Sequence, residues 1–153
     1  MTRPKPVARL EDHLGFWLRL VSNQVSQAFA ARIEAQGVSV AEWVMLRTLY
    51  AAAPQAPSRL AEAMGMTKGG ITKLADRLIA KRLVVRRADP GDARAQTLSL
   101  TPAGTRLVPE LAALADANDR DFFGALAPVE RKALGAALRR LAAGFSNAPL
   151  PLD

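Results

Sequence analysis

The chain has 153 residues, half of them apolar and 23% charged, with a formal net charge of +7. That is enough for one compact unit and argues against disorder. The absence of cysteine excludes a disulfide framework, a thiolate zinc site and thiol-based redox sensing. No apolar run approaches the roughly 20 residues that span a bilayer, and no signal-length apolar stretch follows the first residues, so a cytoplasmic protein is expected.

Residues 1 to 9 are Pro-rich and basic and read as a loose arm. A long first helix is expected from about Glu11 to Gln36, because Leu14, Leu18, Val21, Val25 and Phe29 recur at three and four. Gly37 stands where a left-handed C-terminal cap would fall. Ser39 offers an N-cap for a second helix, and Glu42 three residues on completes a capping box. That helix holds Trp43, Leu46, Leu49 and Tyr50 and stops near Pro54.

Pro57 and Ser58 open a short third helix that ends before Gly65. Thr67 caps a fourth, in which Ile71, Leu74, Ala75, Leu78 and Ile79 form the buried stripe. Lys68, Gly69, Thr72, Lys73, Asp76 and Arg77 fall on the other side. Gly69 and Gly70 cost about 1 kcal/mol each relative to alanine inside a helix. Two uses suit them: close approach to a ligand, or packing against the third helix. Leu83-Val84-Val85 and Thr97-Leu98-Ser99-Leu100 read as the strands of a hairpin, with Asp89-Pro-Gly-Asp-Ala-Arg94 at its tip. Thr101 and Pro102 then start a fifth helix running past residue 120, where Pro109 removes one backbone hydrogen bond and should kink it. Ala127-Pro128 restarts a sixth helix with Leu134, Leu138 and Leu141 on one side, and residues Asn147 to Asp153 read as irregular.

Short helix, glycine turn, helix and hairpin, in that order, make a winged helix-turn-helix. The fold class is therefore mainly α with a small β wing, flanked by further helices. Between residues 58 and 106 there are ten basic and four acidic side chains, so +6 of the chain's +7 falls in this one segment. Charge confined to a groove-sized motif is the footprint of a phosphate-binding surface, and DNA is the expected partner. No paired catalytic carboxylates, no phosphate-cradling glycine loop and a single histidine argue against an enzyme. Asp116-Ala-Asn-Asp-Arg-Asp121 superficially looks like a calcium loop. It lacks the required glycine and the distal glutamate, and it sits in a predicted helix, so no metal and no cofactor are expected.

With its helices placed this way, the chain resembles the MarR family of bacterial transcription regulators over nearly its whole length. The most specific parts are Gly65-Met-Thr67 through Leu83, Asp89-Pro-Gly-Asp92-Ala-Arg94, and Leu98-Ser-Leu-Thr101-Pro-Ala-Gly104. Asp76-Arg77-Leu78 matches the family's ending of the fourth helix. Two positions depart: Arg82 stands where glycine is common, so the entry into the wing is expected to differ slightly. Ala93 takes the first of two positions that are often arginine, leaving Arg94 as the candidate for the tip.

The resemblance implies one unit over residues 1–153, with a DNA-binding part at 40–101 and dimerisation helices at 10–37 and 102–146. It also implies an obligate homodimer, a pseudo-palindromic double-stranded site, no membrane partner, and repression relieved by a small, often aromatic, ligand. The apolar stripes of the first, fifth and sixth helices support the dimer independently, since a small winged domain cannot bury them. The alternative is a constitutive or architectural DNA-binding protein without an effector. Lys68, Thr72 and Lys73 are the candidates to meet bases or nearby phosphates, and Arg77 to meet phosphate. Arg59, Arg86 and Arg87 read as phosphate or solvated residues. Asp76 is expected to orient Lys73 or Arg77. Arg94 is placed in the adjacent minor groove, its guanidinium held by Asp92. For a ligand, the candidates are His13, Trp17, Trp43 and Arg47, on the first two helices near their junction with the fifth.

Overall fold

The computed structural model describes residues 5–145 and 148–153. The first four residues of the expected arm, together with Ser146 and Asn147, lie outside the described residues. A 3-10 turn at Leu10–Asp12 precedes α1 (Leu14–Glu34), α2 (Val40–Leu49), α3 (Pro57–Met64), α4 (Lys68–Ala80), the antiparallel pair β1 (Val84–Asp89) and β2 (Asp92–Leu100), α5 (Pro102–Phe123) and α6 (Pro128–Ala143). The order of elements is the expected one.

The first helix begins later than its sequence pattern suggested. The Arg9 amide donates to Asp12 Oδ2 at 2.8 Å, closing a separate turn, and His13 is extended at φ −104°. The capping box at Ser39 forms: the Glu42 amide donates to Ser39 Oγ at 3.1 Å. Thr67 and Thr101 cap α4 and α5 by accepting from Gly70 N and Gly104 N. Pro109 leaves α5 unbroken. Its neighbours Val108 and Leu111 are buried on the inner side, while Pro109 and Thr105 face water. The Thr105 carbonyl deprived of its helical donor can therefore hydrate.

The core gathers Ile33 from the end of α1, Met45, Leu46 and Leu49 from α2, Leu60 and Met64 from α3, Ile71, Leu74 and Leu78 from α4, and Val108 and Leu111 from α5. Val84 and Leu98 add the root of the hairpin. Beside the strand pair, Gln55 exchanges both backbone hydrogen bonds with Leu98, at 2.9 and 2.8 Å. The wing is thus tied to the loop before α3 as well as to α4. One charged group is buried in this region. Glu42, 3% exposed, receives Lys81 Nζ at 2.7 Å, and the same ammonium donates to the Gly37 carbonyl. This links the end of α4 to the junction of α1 and α2.

Arg82 resolves one question left by the sequence. Its amide donates to Ile79 O and the Leu83 amide to Leu78 O, and its φ is +58°. This is the paired C-terminal closure whose first residue beyond the cap takes the left-handed conformation. Glycine suits that position because it has no Cβ to clash; here arginine adopts the same backbone, and the entry into β1 is kept. Arg82→Gly is expected to stabilise the protein by about 1 kcal/mol, the relief of a left-handed side chain less the extra freedom of unfolded glycine. Urea unfolding measures it, and an unchanged or lower midpoint would contradict the account of strain.

Residues 148–153 form no regular element. They lie over the helix-turn-helix: a Cβ built on Gly65, whose φ is +64°, would come within 2.8 Å of Pro149. Leu152 packs against the core.

Candidate nucleic-acid interface

The recognition candidate is α4. Its inner face buries Ile71, Leu74, Ala75 and Leu78, which fixes the helix about its own axis. Lys68, Gly69, Thr72, Lys73, Asp76 and Arg77 are thereby left exposed, as the periodicity predicted. The two glycines divide the roles proposed for them. A Cβ on Gly70 would meet Met66 Cε at 3.1 Å and Thr67 Oγ1 at 3.2 Å, so Gly70 serves close packing of the turn. A Cβ on Gly69 would meet nothing within 4 Å. Gly69 therefore does not pack on α3; it leaves an open, side-chain-free patch at the helix start, beside the free amides of the first turn.

The hydroxyl of Thr72 donates to the Lys68 carbonyl at 3.0 Å. Its single hydrogen is spent, so Thr72 offers a partner only its lone pairs and its methyl group. Asp76 is engaged differently from the expectation. Its carboxylate accepts from Arg86 Nη2 on β1 at 2.8 Å, rather than orienting Lys73 or Arg77. The chain turns back after α4, and the strand brings Arg86 closer to Asp76 than sequence distance suggests. Arg86 is accordingly a brace between helix and wing, while its neighbour Arg87 is exposed.

At the wing tip Asp89 Oδ1 accepts from Gly91 N, and Asp92 Oδ1 accepts from the backbone N–H of Arg94 at 2.9 Å. Asp92 therefore shapes the tip backbone where the sequence reading had it holding the Arg94 guanidinium. The Arg94 side chain is exposed. Lys68, Lys73 and Arg77 on the outer face of α4, and Arg87 and Arg94 on the hairpin, are the exposed cations of this segment.

The four ligand candidates separate in space. His13 and Trp17 stand at the start of α1, where His13 Nδ1 meets the Arg9 carbonyl at 2.9 Å and Trp17 Nε1 donates to the Glu11 carbonyl at 2.9 Å. Arg47 is exposed on α2, its guanidinium 5.8 Å from the centre of the Tyr50 ring. Only Trp43 borders the cleft between α1, α2 and α5. Sequence reasoning missed Asn118 there, because an asparagine in mid-helix carries no signal of burial. It is 2% exposed, and its Nδ2 donates to the Val25 carbonyl at 3.2 Å.

Residues 36–95 match the MarR family profile, a span covering the helix-turn-helix and most of the wing. Along most of its length the chain is 31% identical to a protein of Thauera aromatica assigned as a transcriptional regulatory protein for the hcr operon, over 92% of this chain and 85% of that protein. It superposes with a TM-score of 0.74 on a Pseudomonas aeruginosa protein described as a transcriptional regulator, at 32% identity, covering 87% of this chain and 99% of the other. The chain belongs to the MarR family. Further solved structures share the fold. BpsR of Bordetella bronchiseptica is 26% identical with a TM-score of 0.75, covering 90% of this chain and 98% of that one. CouR of Rhodococcus jostii is 28% identical with a TM-score of 0.72, covering 89% of this chain and 96% of that one. MarR-family proteins are DNA-binding transcription regulators and not enzymes, and this chain is one of them. Among the described residues no group of three or more His, Asp or Glu is placed to hold a metal ion, and no helix is long and apolar enough to cross a membrane.

Proposed function

We propose that this MarR-family chain works in the cytoplasm as a homodimeric, sequence-specific regulator, a repressor released from its operator by a small, often aromatic, ligand. The observation that carries the DNA part is the cationic outer face of α4, with Lys68, Lys73 and Arg77 exposed directly opposite the buried stripe. A major groove admits one such helix. Arg94 at the tip would reach the next minor groove.

The dimer is supported by apolar surface left uncovered within one chain. Leu14 on α1 is 87% exposed and Leu141 on α6 is 62% exposed; Leu18, Val21, Val129 and Phe145 are exposed as well. No residue of α6 is buried. An apolar expanse of this extent calls for a partner, and a second copy offers the matching helices. Sedimentation at micromolar concentration should give twice the 16.4 kDa chain mass; a folded monomer would sink this part. Two recognition helices related by a two-fold axis favour a pseudo-palindrome with half-site centres about 10 bp apart.

Release by a ligand is supported by the cleft between α1, α2 and α5 and by relatives. The DNA binding of BpsR is regulated by 6-hydroxynicotinic acid, and CouR binds p-coumaroyl-CoA.

The deciding experiment compares operator and random DNA. If Arg77 serves only phosphate, Arg77→Ala weakens both about equally and makes the salt slope shallower by about one unit. Lys73→Ala and Thr72→Ala should hurt the operator more than random DNA. Titration of each variant on both DNAs at several salt concentrations separates these. Equal losses for Lys73→Ala and Thr72→Ala would mean that α4 is not the reader.

A further inference from the structure

Lys81 counts among the basic residues of the DNA-binding segment, yet its ammonium is committed elsewhere. It stands at the C-terminal cap of α4. Its Nζ donates to the Gly37 carbonyl and to Glu42 Oε2, each at 2.7 Å. Gly37, with φ +75°, turns the chain from α1 into α2, and Glu42 lies in the first turn of α2. One lysine therefore joins the end of the recognition helix to the corner where α1 ends. By contrast, Lys68 and Lys73, on the outer face of the same helix, form no ion pair among the described residues.

The acceptor side is built for this cation. Glu42 is 3% exposed, and its two oxygens have separate partners. Oε1 accepts from the Ser39 amide at 3.4 Å, which closes the capping box of α2. Oε2 accepts from Lys81, the only cation paired with it among the described residues. Without that ammonium the carboxylate would be a buried charge left uncompensated, the costly result of breaking a buried pair. The corner would have to open to let water reach it. Ile33 anchors the end of α1 in the core as well. Apolar attraction is non-directional, however, whereas two hydrogen bonds from one ammonium fix a direction as well as a distance. The far side of the corner is fixed too, since Arg32 in the last turn of α1 pairs with Asp121 of α5. Polar contacts thus run from α4 through Lys81 and the corner to α1 and α5.

We propose that Lys81 is a positioning residue for operator reading: held by Glu42 and Gly37, it sets the angle of α4 against α1, and so the spacing of the two recognition helices in the dimer, without touching DNA. This rests on the dimeric DNA-reading function proposed above and deepens it. Half-sites one turn apart require both helices to keep a fixed separation and direction. One added base pair turns one half-site by about 35° relative to the other. A dimer with firmly held α4 helices rejects that change; a dimer with loosened ones tolerates it.

Selection from random DNA supplies the operator, and derivatives with one base pair added or removed between the half-sites test the proposal. The parent should bind the altered spacings at least about tenfold more weakly than the selected one. Lys81→Met should remain a dimer and narrow that gap to about threefold or less. Its affinity for random DNA and its salt slope should stay at the parent values, because no phosphate contact is lost. Glu42→Gln keeps one acceptor oxygen for Ser39 and turns an amide N–H toward Lys81, so it should narrow the gap in the same way. If either single variant does not fold, Lys81→Met combined with Glu42→Gln, which buries no charge, takes its place with the same expected narrowing. A gap kept at about tenfold in the folded variants would overturn the proposal and leave the pair as a stabilising contact alone. So would equal losses on operator and random DNA with a salt slope shallower by about one unit, the mark of a phosphate contact. A parent protein without operator preference, or sedimenting as a monomer, would instead remove the regulatory reading itself, and the proposal with it.

Discussion

Gly104→Ala should destabilise the protein by about 3 kcal/mol, at the upper end of what overpacking commonly costs. A Cβ at this position would stand 2.2 Å from the Leu83 carbonyl oxygen and 3.1 Å from its carbon, so backbone and not a pliable side chain must give way. The two segments are also hydrogen-bonded to each other. Thr101 N donates to Leu83 O at 3.0 Å, and Thr101 Oγ1 donates to Arg82 O at 2.7 Å. Parting them by the ångström or so that a methyl group needs would break these bonds and swing the root of the wing away from α5. The loss should therefore show twice, as a lower unfolding midpoint in denaturant and as weaker operator binding by the fraction still folded. Gly69→Ala is the matched control. Its Cβ meets open space, and alanine is the better helix former, so stability should hold or rise by up to about 1 kcal/mol. Equal stability of the Gly104→Ala and parent proteins would show that the Leu83 contact relaxes without cost.

Arg94→Ala should weaken operator binding by about 1–3 kcal/mol if the guanidinium sits desolvated in the minor groove. The fold and the assembly should not change, because the side chain is exposed and the tip is shaped by Asp89 and Asp92 through backbone amides. The same geometry separates Arg94 from Asp92. Asp92→Ala would release the Arg94 amide and loosen the tip while keeping the cation, so its loss should be smaller than that of Arg94→Ala. Titration at physiological salt measures both. Unchanged affinity for Arg94→Ala would show that the tip stays in solvent.

Much of this protein was legible in the order of its residues. Caps at Ser39, Thr67 and Thr101, the glycine turn at residue 65 and the apolar period of α4 are local signals. Local hydrogen bonding and helix geometry are enough to convert them into elements and into an outward face for Lys68, Lys73 and Arg77. The confinement of positive charge to one segment is likewise a property of the sequence alone.

Tertiary structure decided what the chain brings together across distance. Asp76 pairs with Arg86 and not with its helix neighbours, because the chain turns back at Arg82 and lays β1 beside α4. Glu42, a capping residue by its spacing, also receives Lys81, 39 positions away, which compensates its burial. Gly69 and Gly70 look alike in sequence, yet one faces open space and the other Met66. His13, Trp17, Trp43 and Arg47 share the first two helices and the turn before them, but of these four only Trp43 reaches the cleft, while Asn118 emerges there from the run that superficially looked like a calcium loop. Period and capping are properties of neighbouring residues; which faces meet depends on how helices cross, and that is settled only when the core closes.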